Sequence, residues 1–160
     1  MAEVGQEVTR QANQRYPFIN QVLAHWDAHE VSYLPAVSET ELRSFEKSNN
    51  LQLPDDVRAF YLTTNGVRVP GTSGVDHKQY DFWPLREFKR VEDNPSKLYF
   101  ADFMQSLWPF AIELEGPERG AVYVVPGKFI KIAPSFGEFM KLYVADDESI
   151  YHSKWGKEES

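Results

Sequence analysis

His25 and His29 stand four residues apart, the spacing that places two imidazoles on one helix face and suits a zinc ion. The intervening Trp26-Asp27-Ala28 lacks the glutamate of a metalloprotease helix, and no third ligand is signalled. The pair therefore reads as two boundary histidines beside a buried Trp26. Carboxylates come in pairs at Asp55-Asp56, at Asp76 with Asp81, and at Asp146-Asp147. Such pairs can divide acid and base roles when their surroundings drive their pKa values apart. The first pair is accounted for by a helix start; the others fall at strand or helix borders, where solvated charge is common. No cysteine and no G-x-S-x-G is present, and Ser135 reads as a helix cap, so no activated nucleophile is signalled. Gly71-Thr72-Ser73-Gly74 is not followed by a lysine-led helix and reads as a loop, not a phosphate cradle. Lys128 and Lys131 flank Phe129, a faint nucleic-acid pattern that its acidic neighbourhood does not sustain, so the segment reads as a half-exposed strand. What remains is a domain rich in rings and carboxylates without a catalytic set. The expectation is a protein that is not an enzyme and needs no cofactor or metal.

Charge points the same way. The formal net charge is −7 over 160 residues. That balance argues against nucleic acid, whose affinity rests on Lys and Arg against phosphates, and would speed encounter with a basic partner. Trp83, Trp108 and Trp155 are either core or binding anchors beside an acidic rim. Without cysteine a reducing compartment is natural, and the apolar runs are too short to span a bilayer. A soluble, cytoplasmic protein with no membrane contact is expected.

The elements that position these residues centre on residues 38–66. Ser38 and Glu41 have the offset of a capping box, and Leu42 and Phe45 share the following helical face. Ser48, Asn49 and Asn50 end that helix. Pro54 suits a first helical position, and Asp55 and Asp56 suit the positive end of the helix. Val57, Phe60 and Tyr61 make its apolar stripe, and Asn65-Gly66 is read as its left-handed cap. Upstream, Pro17 starts a helix with Phe18, Ile19, Val22, Leu23 and Trp26 on one face. Downstream, residues 79–85 read as a strand, 86–91 as a helical turn, 92–97 as a loop around Pro95, and 98–104 as a strand. Residues 110–114, 121–125 and 128–133 then form an antiparallel meander. Ser135 and Glu138 have a second capping-box offset, opening a last helix with Phe136, Phe139, Met140 and Tyr143 buried. Asp146, Asp147 and Glu148 end it. Helices at both ends of an antiparallel sheet make an α+β domain.

Leu51, Leu53, Pro54, Asp56, Phe60, Asn65 and Gly66 together resemble the N-terminal signature of the SUKH superfamily. Phe82-Trp83-Pro84-Leu85 resembles its Trp-Pro strand, and Ser135-Phe136 with Glu138-Phe139 resembles its closing helix. The resemblance implies a single SUKH-like domain over 38–150, an antiparallel sheet flanked by helices. A helical extension over 1–37 packing on it and a flexible tail over 151–160 are expected. The resemblance also implies a bacterial immunity protein that binds and neutralises a cognate toxin, often a nuclease, and the acidic charge of this chain makes a basic toxin the expected partner. The fungal branch, a cell-wall-synthesis regulator, supplies the alternative of a regulatory or scaffolding module. Exposure and charge, not motif transfer, nominate Asp76, Asp81, Asp102, Glu113, Glu115, Asp146 and Asp147 as partner-binding carboxylates, with Trp83 beside them.

Overall fold

A computed structural model describes residues 15–67, 76, 80–103, 108–125, 129–147 and 150. The first turn of each helix explains where it begins. Helix α1 spans Phe18–Ala28 behind Pro17 and buries Phe18, Ile19, Val22 and Trp26, the three-and-four spacing of one helical stripe. Helix α2 spans Glu39–Ser48. The Ser38 side chain accepts from the Glu41 amide at 3.1 Å, and the Ser38 amide donates to Glu41 Oε1 at 3.4 Å. This reciprocal cap stabilises the helix by about 1 kcal/mol. Helix α3, Asp55–Tyr61, follows Pro54 and buries Val57, Ala59, Phe60 and Tyr61.

The sheet is six-stranded and antiparallel: β1 (Tyr80–Phe82), β2 (Lys89–Val91), β3 (Asn94–Phe103), β4 (Trp108–Glu113), β5 (Val122–Val124) and β6 (Ile130–Ala133). The main path runs β1-β3-β4-β5-β6. β1 and β2 occupy successive halves of one edge of β3, separated by Trp83-Pro84 and a 3-10 turn at Leu85–Glu87. The β3–β4 register slips between Tyr99 and Ala101. Phe100 sits at that irregularity and turns its ring against Phe88, Phe110, Phe136 and Phe139. Helix α4, Phe136–Ala145, crosses this face and buries Phe136, Phe139, Met140 and Tyr143. Phe18 of α1 and Phe60 of α3 meet Phe136 at 5.9 and 5.3 Å between ring centroids. Edge-to-face pairs of this kind add to the area they bury.

Several sequence expectations need correction. Residues 92–97 are not a loop: β2 and β3 form a hairpin around Glu92-Asp93, with Val91 paired to Asn94. Pro95 lies where the β2–β3 register shifts, at the strand end where a missing ladder donor costs least. The helical turn expected over 86–91 is confined to Leu85–Glu87, and of the described residues in the strand read over 79–85 only Tyr80–Phe82 form one. Asn65-Gly66 does not cap α3, which closes at Leu62. Gly66, at φ 91°, instead lets the chain pass the β1 carbonyls. A Cβ there would stand 2.3 Å from the Phe82 oxygen. The second capping box is half formed. Ser135 accepts from the Glu138 amide at 3.1 Å, while the Glu138 carboxylate pairs with Lys141 at 3.2 Å. Asp146 ends α4 in the left-handed conformation, φ 59°, which a short polar side chain tolerates. The 71–74 loop, Met104, Lys128, Glu148, the chain before Arg15 and the tail with Trp155 lie outside the described residues.

Candidate functional site

The residues that carry the sequence resemblance turn out to hold elements together. One Asp56 oxygen accepts from its neighbour Val57 at 2.9 Å, in the first turn of α3. The other accepts from the Gly137 amide at 2.9 Å, in the first turn of α4. One carboxylate thus serves two helix N-termini, where backbone donors and the helix dipole favour negative charge. Burial nevertheless pushes the Asp56 pKa above the usual aspartate value, outweighing those backbone bonds. Asn65 Oδ1 accepts from the Leu85 amide at 2.8 Å, the Tyr61 hydroxyl donates to the Trp83 carbonyl at 2.6 Å, and Thr64 donates to the Leu34 carbonyl at 2.7 Å. Burial first, and the Asp81 charge second, hold the Tyr61 hydroxyl well above its usual pKa. It is a neutral donor at all ordinary pH.

The expected partner-binding carboxylates divide sharply by exposure. Glu115, Asp146 and Asp147 are exposed. Asp76, Asp81, Trp83, Asp102 and Glu113 are buried, which corrects the expectation that they form an open rim. Each sits on or beside a strand where neighbours cover it. Asp81 and Asp102 face each other across β1 and β3, and the Trp83 indole donates to Asp102 Oδ2 at 2.7 Å. Trp83 is therefore a tethered internal ring, not an open anchor. Asp76 accepts from the Tyr80 amide at 2.9 Å and from the Tyr143 hydroxyl, which itself accepts from the Trp26 indole at 2.8 Å. Burial, then the Asp76 charge, raises both Tyr80 and Tyr143 above the usual tyrosine value.

Glu113 lies at the far end of β4, paired with Lys97 across the strands and bonded to its ammonium at 2.9 Å. That ammonium also stands 4.8 Å from the centroids of both Tyr123 and Phe129, an arrangement attractive to a cation. Burial would raise Glu113, but Lys97, Ser96 and the Glu115 amide together hold it below the usual glutamate value. This buried ion pair was not foreseen. Glu113 is nominated from sequence as an exposed partner-binding carboxylate, and only its register partner Lys97 signals otherwise. The His25 and His29 rings do lie together, 4.5 Å apart, with His25 edge-on to Tyr143 at 5.3 Å. Among the described residues no group of three or more His, Asp or Glu is arranged to hold a metal ion. No described helix is long and apolar enough to cross a membrane.

An α+β fold whose distinctive Asp, Asn, Gly and Tyr residues fasten a helix pair to an antiparallel sheet defines a SUKH-type scaffold. The chain belongs to the SMI1 / KNR4 family (SUKH-1), whose model matches residues 36–142. No curated protein matches it in sequence.

Proposed function

We propose that the protein is a non-catalytic binding protein of the immunity type, which occludes a basic protein toxin. The observation that carries this reading is the use made of the family's signature. Asp56, Asn65 and Gly66 are committed to holding the scaffold, and the immunity role is what the SUKH resemblance implies for a member of the matched family. A net charge of −7 suits electrostatically steered capture of a basic surface. The contact residues in this reading are the exposed members of the original set, Glu115, Asp146 and Asp147. Association in the cytoplasm with a toxin encoded beside it is the expected setting. The test is co-expression with the product of the adjacent gene. Toxicity of that product alone, its relief by this protein and a stable complex of the two are expected. A neighbour that is harmless, or that stays toxic in the presence of the protein, would overturn the proposal. A deletion phenotype without any toxin would favour the regulatory alternative.

A further inference from the structure

A cleft of about 330 Å³ lies where the link between α2 and α3 meets the turn after β4. Arg90 and Arg119 line it, with Leu51, Leu114, Asp55 and Glu115. Both arginines are held in place by neutral main-chain oxygens. Arg90 donates to the carbonyls of Pro95 at 2.5 Å and of Asn49 and Asn50 at 3.0 Å. Arg119 donates to the Leu114 carbonyl at 3.1 Å and the Gln52 carbonyl at 3.0 Å. Among the described residues neither guanidinium lies within ion-pair distance of a carboxylate, whereas Arg15, Arg43 and Arg58 each do. A guanidinium carries five N–H donors. These bonds leave Arg90 its Nε–H and one Nη1–H, and leave Arg119 both Nη1–H groups and one Nη2–H. The spare donors are on side chains whose rotamers are already fixed, so a ligand would cost little further ordering.

The spare donors call for an anion, and the rim selects which. Asp55 is itself within 3.9 Å of Arg15, so of the rim carboxylates only Glu115 is left to offset Arg90 and Arg119, and the cleft keeps one positive charge in excess. One added negative charge is matched by that excess positive charge, while the second charge of a dianion would meet the rim carboxylates uncompensated. Planar bidentate acceptance also suits a carboxylate to the Nη1–Nη2 edge of Arg119, while Arg90, whose Nη2–H groups are both engaged, adds single N–H bonds. We propose that this cleft is a binding site for a single carboxylate group, held by Arg119 with Arg90. This goes beyond the partner reading and does not depend on it.

The test is a titration of the purified protein followed by the NMR signals of the arginine side-chain N–H groups. Acetate, inorganic phosphate and chloride are compared at constant ionic strength. Saturable shifts at Arg90 and Arg119 with acetate, weaker ones with phosphate and none with chloride are expected. Arg119→Gln should weaken acetate binding about tenfold, the loss of one charge-assisted fork. Glu115→Gln, at an exposed position, should tighten it about threefold by removing a nearby like charge. A peptide ending in a free carboxylate separates the sources. Tighter binding of that peptide than of its amide and of acetate marks a protein ligand, and equal binding of peptide and acetate marks a small carboxylic acid. Absence of a saturable shift, an equal response to chloride, or unchanged affinity in Glu115→Gln would overturn the proposal. Should Arg119→Gln unfold, the Glu115→Gln titration decides alone.

Discussion

Asp56 and Glu113 are both carboxylates drawn away from water, yet their surroundings displace them in opposite directions. Asp56 is raised because burial outweighs its backbone bonds; Glu113 is lowered because the Lys97 ammonium and its other donors outweigh burial. The consequences for acid stability have opposite signs. A raised folded-state pKa means that stability from this group is fully present below the ordinary value of 3.8 and declines as pH rises through the folded value. The stability gap between wild type and Asp56→Asn should therefore narrow as pH rises from that point, as read by urea midpoints. Asp56→Ala removes acceptors from two helix starts and should cost about 1–3 kcal/mol. For Glu113 the contribution is present above its ordinary value of 4.5 and is lost as pH falls through the lowered folded value. Lys97→Met strands the buried Glu113 carboxylate without its cation and should cost about 3 kcal/mol at neutral pH. That penalty should shrink on acidification, when Glu113 in the variant takes up a proton.

At the scale of elements, the link between the helix pair and the sheet is the sensitive joint. Gly66→Ala would place a methyl against the Phe82 carbonyl in a backbone conformation that L residues rarely adopt. It should cost more than about 2 kcal/mol by thermal or urea unfolding, whereas Ser38→Ala should cost about 1 kcal/mol. This joint shows what a sequence can and cannot convey. The Ser38–Glu41 cap was readable because residue type and offset alone specify its geometry. The β4–β5–β6 meander was readable from alternation and short turns. Asn65-Gly66 has the same signature whether it ends a helix or lets a connecting segment pass close to a strand, and only tertiary contact chooses between them. Pro95 concealed the β2–β3 hairpin because a proline is admissible where the register shifts. The candidate carboxylates were misjudged for a related reason. Whether Asp81 or Asp102 meets water depends on what lies across its strand, not on its own neighbours in the chain.

For the molecule as a whole, charge and connectivity set the remaining expectations. If the partner is a basic toxin, Glu115→Lys with Asp147→Lys should slow association about tenfold at low salt. The difference should fade as salt is raised and the dissociation rate should change less, a pattern that stopped-flow measurement would resolve. Cohesion depends on a relay that spans distant parts of the chain: Trp26 on α1 donates to Tyr143 on α4, which donates to Asp76 ahead of β1. Tyr143→Phe deprives the Trp26 indole of its acceptor and Asp76 of a donor, and should cost about 2–3 kcal/mol. The family match covers residues 36–142, so it stops one position short of this tyrosine and leaves out all of α1. A gene trimmed to those limits would yield a polypeptide stripped of the side chains that shield Phe60 and Phe136. Such a fragment should precipitate or self-associate on expression, where a version beginning ahead of Arg15 stays monodisperse by light scattering.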